Sequence, residues 1–294
     1  VQRNKVSRGV PGQLSDLLGL VGSGNIRTLG LRAAAVLDAD ALVFFDDDEV
    51  SVDPRVRDMV RAGLARGIVG LAGYYVDARG GYLLDGDEAP WAALWGKRQA
   101  MNRAFAAIIG QPPRYKRTPF VFGGNMVITR RLLRSVCFDP RITRGEDIDY
   151  LISAERLGFP FILDNTLAIT HRPPPHSQPS WQQLRQDGIR LRYQRAKLAG
   201  AGADPAAYDP YPGPFLRDDL DQRLDRAFEG LAEHYRSQRD EEAARQTLAA
   251  RDEVQRLGFA DAWADYLAFC QRWCELVASV APGGWGTELL CPVE

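Results

Sequence analysis

An apolar run that leads straight into four acidic residues constrains the fold of this chain more than any other stretch. Residues 41–45 are Ala-Leu-Val-Phe-Phe, and residues 46–49 are Asp-Asp-Asp-Glu. An apolar run of this length, bounded by polar residues, predicts a strand buried on both faces, which is typical of parallel sheets in α/β proteins. Clustered carboxylates repel one another unless solvent or a cation separates them, and their oxygens suit Mg²⁺ and Mn²⁺. Since open α/β sheets bind ligands at the carboxyl ends of their strands, the run predicts a cation site, with a solvated acidic turn as the alternative.

Length, charge and cysteine content narrow the class of protein. A chain of 294 residues is long enough for one large domain, or for a core domain with an appendage. Its net charge of −1 favours neither nucleic acid nor an anionic membrane as a partner. The sequence has no apolar run of about eighteen residues, so we expect no transmembrane segment, and residues 1–5 lack the pattern of a signal peptide. The 4 cysteines lack the paired spacing of metal sites and indicate reduced thiols, so we expect a soluble cytoplasmic protein.

The order of apolar and turn-forming residues predicts alternating helices and strands up to about residue 178, and helices after it. The predicted helices of the first part cover residues 14–20, 25–37, 53–64, 89–109, 130–136 and 146–157, and the predicted strands cover residues 41–45, 68–76, 120–129, 159–163 and 167–170. Gly123 and Gly124 interrupt one strand, which indicates a bulge or a ligand close to the backbone. Amphipathic stripes at residues 216–235 and 263–277 predict helices that either dock on the core or form a homodimer. We therefore divide the chain into an α/β core at residues 1–178 and a helical C-terminal extension at residues 179–294.

Acidic and imidazole groups stand at the ends of three elements of the predicted α/β core. They are Asp46 with Asp48, then Glu146, Asp147 and Asp149, and finally His171. A doubly wound sheet brings such ends to one edge, where Asp46 and Asp48 would point the same way and could serve one metal–phosphate unit. The acids at 146–149 lie in a first helical turn, where they provide a general base or simply stabilise the helix dipole. His171 is either a packed side chain or a metal ligand.

Taken together, these segments resemble a glycosyltransferase of the GT-A fold, close to the family-two type. The resemblance covers roughly residues 20–175 and rests on Ser-Gly-Asn-Ile-Arg at 23–27, Leu-Val-Phe-Phe-Asp-Asp-Asp at 42–48, Phe-Gly-Gly-Asn at 122–125, Gly-Glu-Asp-Ile-Asp at 145–149, and His171. It implies an α/β fold with a Rossmann-like mixed sheet flanked by helices. It also implies that a sugar is moved from a nucleotide-sugar donor to a hydroxyl of a saccharide or another acceptor, with Mn²⁺ or Mg²⁺ as cofactor.

The resemblance implies a role for each matching position. Asp46 and Asp48 match the family's DxD pair at the metal, with Asp48 at the donor diphosphate and Asp46 nearer the ribose. His171 matches a position that completes the metal shell. Asp147 matches the catalytic base of inverting members, and Glu146 a residue that holds acceptor hydroxyls. The implied donor-binding residues are Arg27, Asp46, Gly123, Gly124 and Asn125.

One departure from the family pattern concerns the front of the domain. GT-A domains build the nucleoside pocket before the DxD strand, and too few residues precede Asp46 to form that section. We therefore expect the sequence to lack part of it, or a partner chain or rearranged topology to replace it. Some retaining members also place an acidic pair and a late histidine around the metal, so the stereochemistry of transfer stays open.

Candidate acceptor contacts fall on residues 82–95 and on the chain that follows His171. Trp91 and Trp95 are four residues apart and offer a stacking face for a sugar, or else pin a helix to the core. Asp149 is a further candidate contact. A basic stretch in the tail either meets phosphate or, as we favour, forms a solvated helix face; it comprises Arg172, His176, Arg185, Arg190, Arg192 and Arg195.

Two other functions fit parts of the pattern. A phosphatase of the haloacid dehalogenase type begins with an apolar strand and Asp-x-Asp-x-Thr/Val, which residues 46–50 match; Asp46 would be its nucleophile and Mg²⁺ its cofactor. That family also needs a Ser/Thr strand end and a later Lys, and we find no convincing pair. A non-catalytic binding module on a transferase-like core is the second alternative.

Overall fold

The computed structural model describes residues 23–86, 88–172 and 178–280, so the helix predicted over residues 14–20 lies outside the described residues. The α-helices are α1 (Ser23–Val36), α2 (Val56–Leu64), α3 (Pro90–Trp95), α4 (Lys97–Ile108), α5 (Arg130–Ser135), α6 (Glu146–Arg156), α7 (Ser180–Gly200), α8 (Leu220–Ser237), α9 (Glu241–Arg256) and α10 (Ala262–Val280). The strands are β1 (Ala41–Phe44), β2 (Glu49–Val52), β3 (Gly70–Val76), β4 (Tyr115–Arg117), β5 (Met126–Thr129) and β6 (Phe161–His171). Short 3₁₀ turns cover Gly123–Asn125, Pro205–Tyr208 and Gly213–Phe215.

The strands form one mixed sheet in the order β1-β5-β3-β6-β2, and β4 pairs with β6 beside this path. Strands β3 and β6 are parallel, whereas β5 is antiparallel to β1 and β3, and β2 is antiparallel to β6. The predicted α/β class, with a mixed sheet, flanking helices and a helical C-terminal region, is confirmed.

The position of β1 corrects one expectation. Within the described residues β1 pairs with β5 alone, in antiparallel register, so it is an edge strand and not an inner strand of a parallel sheet. Each of its side chains is partly exposed. The expected burial on both faces is therefore incomplete, and an apolar run does not show which strand lies alongside.

Both faces of the sheet are covered. Side chains alternate along β5, so that Met126 and Ile128 join the large core under the C-terminal helices. Val127 points the other way, into a smaller core with Met59 and Val60 of α2. This two-sided burial explains why the strands read as continuous apolar runs in the sequence.

Four predicted elements, one helix and three strands, are divided, shortened or joined in the structure. The helix predicted over residues 89–109 is two helices, because Gly96 adopts a left-handed φ of 71° between α3 and α4. The strand predicted over residues 120–129 is reduced to β5, with the 3₁₀ turn Gly123–Asn125 in front of it. The strands predicted over residues 159–163 and 167–170 are one strand, β6, whose register against β3 shifts between Ala72 and Tyr74.

The C-terminal helices share one hydrophobic core with the sheet. Trp273 of α10 is fully buried, and its indole Nε1 donates a hydrogen bond to the carbonyl oxygen of Leu133, the two atoms 2.8 Å apart. Phe228 of α8 and Tyr266 of α10 belong to the same cluster. The amphipathic stripes of these helices thus dock on the core. No helix in the described ranges is both long and apolar enough to cross a membrane.

Candidate functional site

The ends of several strands meet at one edge of the sheet, which we call the acidic rim; it comprises Asp46, Asp48, Glu49, Tyr75, Gly124 and His171. Strands β1, β3 and β6 run in the same direction, so their carboxyl ends lie on one side, and the antiparallel strands β5 and β2 begin on that side. Residues 45–48 connect the two strands at the ends of the path and lie along this rim. Asp46 lies within hydrogen-bonding distance of Tyr75 in β3. Asp48 lies within hydrogen-bonding distance of His171 in β6. The topology therefore brings together Asp46, Asp48 and His171, as the sequence predicted.

Arg27, in the first turns of α1, connects the acidic residues that come from distant parts of the chain. Its Nη2 lies 2.9 Å from Oδ1 of Asp46, its Nε lies 2.9 Å from Oε1 of Glu146, and its Nη1 donates to the carbonyl oxygen of Gly123 at 2.7 Å. Its guanidinium also lies over the ring of Phe44, 5.2 Å from the centroid. Burial opposes the charge on Arg27, but Asp46 and Glu146 outweigh it and raise its pKa. The nucleotide contact predicted for Arg27 stays a prediction, since these donors already serve the chain itself.

Glu146 and Asp147 begin helix α6, as predicted, and both are fixed by neighbouring groups. Asp147 Oδ2 accepts a hydrogen bond from the backbone N–H of Gly123 at 3.0 Å, and its Oδ1 accepts one from Ile148 N–H at 2.8 Å. Burial, and then the charge of Asp147, raise the pKa of Glu146, while Arg27 opposes that rise. Asp147 is the less buried of the two, so its carboxylate is the better placed to meet a substrate.

Asp48 and His171 are the two groups that best fit a divalent metal. Asp48 Oδ2 and His171 Nε2 are 3.0 Å apart. This separation is that of a hydrogen bond between the two side chains, and a metal held by both would have to take the place of the shared proton. Among the described residues no group of three or more His, Cys, Asp or Glu side chains converges on one point, so the remaining ligands would come from substrate and water. Asp46 is held by Arg27, and its predicted role as a ligand remains a prediction.

Tyr75 is a rim residue that the sequence analysis missed. Its hydroxyl accepts a hydrogen bond from the Gly124 N–H at 2.9 Å and donates to Asp46 Oδ2 at 3.4 Å. Burial, and after it the charges of Asp46 and Glu49, raise its pKa, so it stays a neutral donor. A Cβ at Gly124 would lie 2.6 Å from the Tyr75 hydroxyl and 2.0 Å from Glu49 Oε1, so a larger residue there would displace these rim side chains. The position of Tyr75 at the end of a predicted strand was the signal that could have identified it.

Glu49, the last acid of the run, is also part of the rim. It begins β2 opposite His171 of β6. Both carboxyl oxygens of Glu49 are shielded from solvent, and neither receives a well-formed hydrogen bond from the described residues. The Tyr75 hydroxyl and the Asp46 backbone lie near enough to stabilise its charged form slightly. Burial raises the pKa of Glu49 to about 7, since desolvation outweighs those neighbours. The sequence analysis counted this residue in the acidic run but gave it no role.

The side chain of Asn125 has a structural place. It is fully buried, and its Nδ2 donates to the carbonyl oxygens of Tyr74 in β3 and Leu167 in β6, both at 3.0 Å. Its amide lies over Gly73, where a Cβ would come within 2.3 Å of it. Its amide nitrogen is thus committed to joining two strands, and the donor contact predicted for Asn125 stays a prediction.

The tryptophans predicted as a stacking face are packed against the protein. Trp95 is 4% exposed and contacts the ring of Phe215 with centroids 5.0 Å apart. Trp91 is half-buried beside Gly230 of α8. For Trp95 the predicted sugar contact is wrong, because its ring has no free face, and the alternative of a helix pinned to the core describes both residues better.

Asp149, the third predicted acceptor contact, belongs to a buried ion cluster. It is 2% exposed, and its Oδ2 lies 2.7 Å from Lys197 Nζ of α7. Lys197 Nζ also pairs with Asp139 at 3.0 Å and lies 3.5 Å from the ring centroid of Tyr266. The prediction for Asp149 is therefore corrected: its carboxylate holds α6 against α7 and does not reach the rim.

Arg190 of α7 supports the turn that precedes the candidate base. Gly145 has a left-handed φ of 69°, and a Cβ there would overlap the guanidinium of Arg190. Arg190 is 6% exposed and its Nη2 lies 3.5 Å from Asp187 Oδ1, which in turn pairs with Arg144 and Lys97. At this position the predicted solvated helix face is wrong. The periodicity of the sequence could not predict the burial of Arg190, because a charge pattern does not indicate which arginine will have buried partners.

Comparison with known proteins identifies no family. No family model matches the chain, and no curated protein matches it. Solved structures do match, among them one described as a crystal structure of a mycobacterial protein, which is 22% identical and has a TM-score of 0.36. The match covers 65% of this chain and 56% of that one, so the chain spans little more than half the length of the solved protein. A TM-score this low supports no argument about function.

Proposed function

We propose that this protein is a metal-dependent glycosyltransferase that moves a sugar from a nucleotide-sugar donor to an acceptor hydroxyl. The observation that carries the proposal is the 3.0 Å approach of Asp48 to His171 on the same rim as Asp46, within a network that Arg27 and Gly123 extend to Glu146 and Asp147. Sugar transfer needs a group that neutralises the leaving diphosphate and a base that activates the hydroxyl. In this proposal Asp48 and His171 would hold the metal that neutralises the diphosphate, and Asp147 would be the base.

Each residue then has a task in the proposed reaction. The bond between the anomeric carbon and the diphosphate breaks, a bond from that carbon to the acceptor oxygen forms, and Asp147 takes the hydroxyl proton. Asp48 and His171 would hold Mn²⁺ or Mg²⁺, which when bound neutralises charge on the leaving diphosphate. The backbone N–H groups of Gly123 and Ile148 hold the Asp147 carboxylate in one orientation.

The network around Asp46 also bears on the phosphatase alternative. Arg27 Nη2 contacts both of its carboxyl oxygens, Oδ1 at 2.9 Å and Oδ2 at 3.2 Å. A carboxylate paired with a buried guanidinium is a poorer nucleophile, since attack must first break the ion pair. The arrangement therefore favours glycosyl transfer over a phosphoaspartyl intermediate on Asp46.

The test is calorimetric titration of the protein with a panel of nucleoside diphosphates and nucleotide sugars, with and without Mn²⁺. We expect one nucleotide to bind only with the metal, and we expect Asp48→Ala to abolish that binding. Asp47→Ala is the matched control, because the neighbouring Asp47 side chain is exposed and should leave binding unchanged. Intact metal-dependent binding in Asp48→Ala would remove the metal assignment.

Asp147→Asn separates binding from chemistry in the same experiment. The amide keeps the shape of the side chain but cannot take a proton, so nucleotide binding should persist while transfer falls by at least about a hundredfold. Unaltered turnover would exclude Asp147 as the base. Binding without transfer in the unaltered protein would favour the non-catalytic module, and hydrolysis of phosphate esters without nucleotide binding would favour the phosphatase.

A further inference from the structure

A cavity of about 600 Å³ opens beside the acidic rim, and we call it the Tyr82 pocket. Its apolar lining consists of Tyr82, Leu83, Leu84, Met101, Phe105 and Phe122, and it is bounded by Tyr75 and His171 of the rim. This volume falls in the range of pockets that bind small organic molecules. A second cavity, of about 400 Å³ between α7 and α9, shares no lining residue with the rim, and the charged side chains facing it, Arg185 and Glu253, pair with each other.

Aromatic rings connect the candidate metal site to this pocket without interruption. The ring of His171 stacks on Tyr75 with centroids 4.3 Å apart, Tyr75 contacts Phe122 at 4.7 Å, and Phe122 contacts Phe105 at 5.2 Å. A ligand in the pocket therefore lies directly next to the groups proposed to act on the donor.

The outer wall of the pocket is a fixed loop that exposes two leucines. Leu83 and Leu84 are 43% and 41% exposed. The backbone of Leu84 is held on both sides by Asn102 of α4, whose Oδ1 accepts from its N–H at 2.8 Å and whose Nδ2 donates to its carbonyl oxygen at 3.0 Å. Arg98 of the same helix donates to the carbonyl oxygen of Gly86 at 2.7 Å. Exposed leucines on a pinned loop indicate a surface built for an apolar ligand.

Of the Asp and Arg side chains that line the pocket, Asp77 and Arg98 are engaged by the loop itself, and Asp85 is exposed to solvent. Asp77 Oδ1 accepts from the N–H groups of Arg79 and Gly81, at 2.7 and 2.8 Å. Arg98 is bonded to the loop backbone and lies 3.6 Å from Glu88. A polyhydroxylated sugar buried here would lose its hydrogen bonds to water and regain few, whereas an aliphatic chain or aromatic ring would lose none.

We infer that the Tyr82 pocket binds the apolar body of the acceptor, so that the preferred acceptor is an alcohol or glycoside with an aliphatic or aromatic portion and not a free saccharide. The identification of this ligand as the acceptor rests on the proposed function. The apolar binding site itself rests only on the pocket.

The test compares the binding affinities of two probes with the same headgroup, hexyl β-glucoside and methyl β-glucoside. Affinities are measured by calorimetry with the full chain, at concentrations below the critical micelle concentration of the hexyl compound. Because each buried methylene strengthens binding several-fold, we expect the hexyl compound to bind at least about tenfold more tightly. Leu83→Ser/Leu84→Ser should remove most of that preference. Leu267→Ser is the matched control, since Leu267 of α10 is 36% exposed and lies outside the pocket.

Two results would overturn the inference. One is equal binding, or none, of the two glucosides to the folded protein. The other is a hexyl preference that survives the double substitution, because the chain would then bind elsewhere. Nucleotide titration of the same preparation separates the two proposals: a hexyl preference without metal-dependent nucleotide binding keeps the pocket and removes the transferase.

Discussion

Arg27 is the residue on which the charge balance of the acidic rim depends. One guanidinium, 11% exposed, neutralises Asp46 from the end of β1 and Glu146 from the start of α6, which lie 100 positions apart in the sequence. Without it two nearby carboxylates would face each other in a shielded place, where charges interact strongly. Arg27 therefore offsets the charge of one member of the acidic run, Asp46, together with that of Glu146.

A double-mutant cycle measures this dependence. Arg27→Met keeps the length of the side chain but leaves Glu146 buried without a cation, so we expect the free energy of unfolding to fall by about 3 kcal/mol in urea titrations at neutral pH. Arg27→Met/Glu146→Gln should recover at least about 1 kcal/mol of that loss, because the unpaired charge is gone. If the stability losses of the two single substitutions simply add in the double variant, the ion pair contributes nothing to the free energy of unfolding.

Helix α7 is the element that fixes the position of the candidate base. Its Asp187 lies 2.6 Å from Lys97 of α4 and 3.9 Å from Arg144, the residue before Gly145. Burial by itself raises the pKa of Asp187, but the positive charges of Lys97, Arg190 and Arg144 outweigh it and hold that pKa below its ordinary value. A buried, ionised carboxylate thus connects three elements behind α6.

The lowered pKa of Asp187 gives its contribution a definite pH dependence. A carboxyl group whose pKa is lower in the folded state stabilises the fold above its unfolded pKa of about 3.9, and the contribution is lost as pH falls through the folded value. We expect Asp187→Asn to lower the free energy of unfolding by about 3 kcal/mol at pH 7, and by progressively less below about pH 4. Urea unfolding from pH 7 to pH 3 checks this.

Asp265→Asn is the control for that series, since it removes a half-exposed carboxylate from Arg141. Its effect should be within about 1 kcal/mol throughout. A loss in Asp187→Asn that does not change with pH would mean that packing, and not the ionised carboxylate, holds α7 in place.

Local sequence patterns predicted the helices and strands, but they could not predict how residues that are distant in the sequence pair with one another. The start of α6 at Glu146 and the end of β6 at His171 follow from residues within a few positions, and the structure confirms both. The edge position of β1 depends on β5, more than eighty residues further on, so no local pattern could show it. The join of two predicted strands into β6 likewise depends on pairing with β4 and β3.

Residues of the candidate site could be predicted where a polar side chain stands at a position that is usually apolar. Asp48 and His171 are polar residues at the ends of apolar strands, and they do lie together. Asp149 and Trp95 are common residue types at helical spacing, and their burial depends on Lys197 and Phe215 from the C-terminal part. Tyr75 had only its position at the end of a predicted strand as a signal, and Arg190 had none, because the partners of both residues come from other elements.

The sheet and the C-terminal helices depend on one core. Every described α-helix except α2 contributes residues to one large apolar cluster, in which Phe138 and Tyr150 of the sheet part pack near Tyr266 and Trp273 of α10. A shared core makes unfolding cooperative, because neither part can lose its packing alone. The division at residue 178 marks a change of secondary structure within one packed body.

Trp273→Ala tests this cooperativity. Truncating a fully buried tryptophan that also donates a hydrogen bond should lower the free energy of unfolding by about 3–5 kcal/mol. The loss of helix, monitored by circular dichroism, and the loss of amide protection in β3 and β5, monitored by hydrogen exchange, should occur in the same transition. Leu267→Ala on the same helix should change stability by less than about 1 kcal/mol, since that side chain is partly exposed. Strands that keep their protection while α10 unfolds would contradict a single core.

The stacked rings of Tyr75 and His171 have a thermodynamic consequence, because these two rim residues also line the Tyr82 pocket and so form a partition between it and the acids of the rim. A ligand that moves this partition from either side changes the free energy of occupying the opposite side, and the two changes are equal by linkage. If occupancy of the pocket tightens the rim around a nucleotide, the nucleotide must tighten the pocket by the same factor. If both compartments take a ligand, we expect them to respond as one cooperative unit.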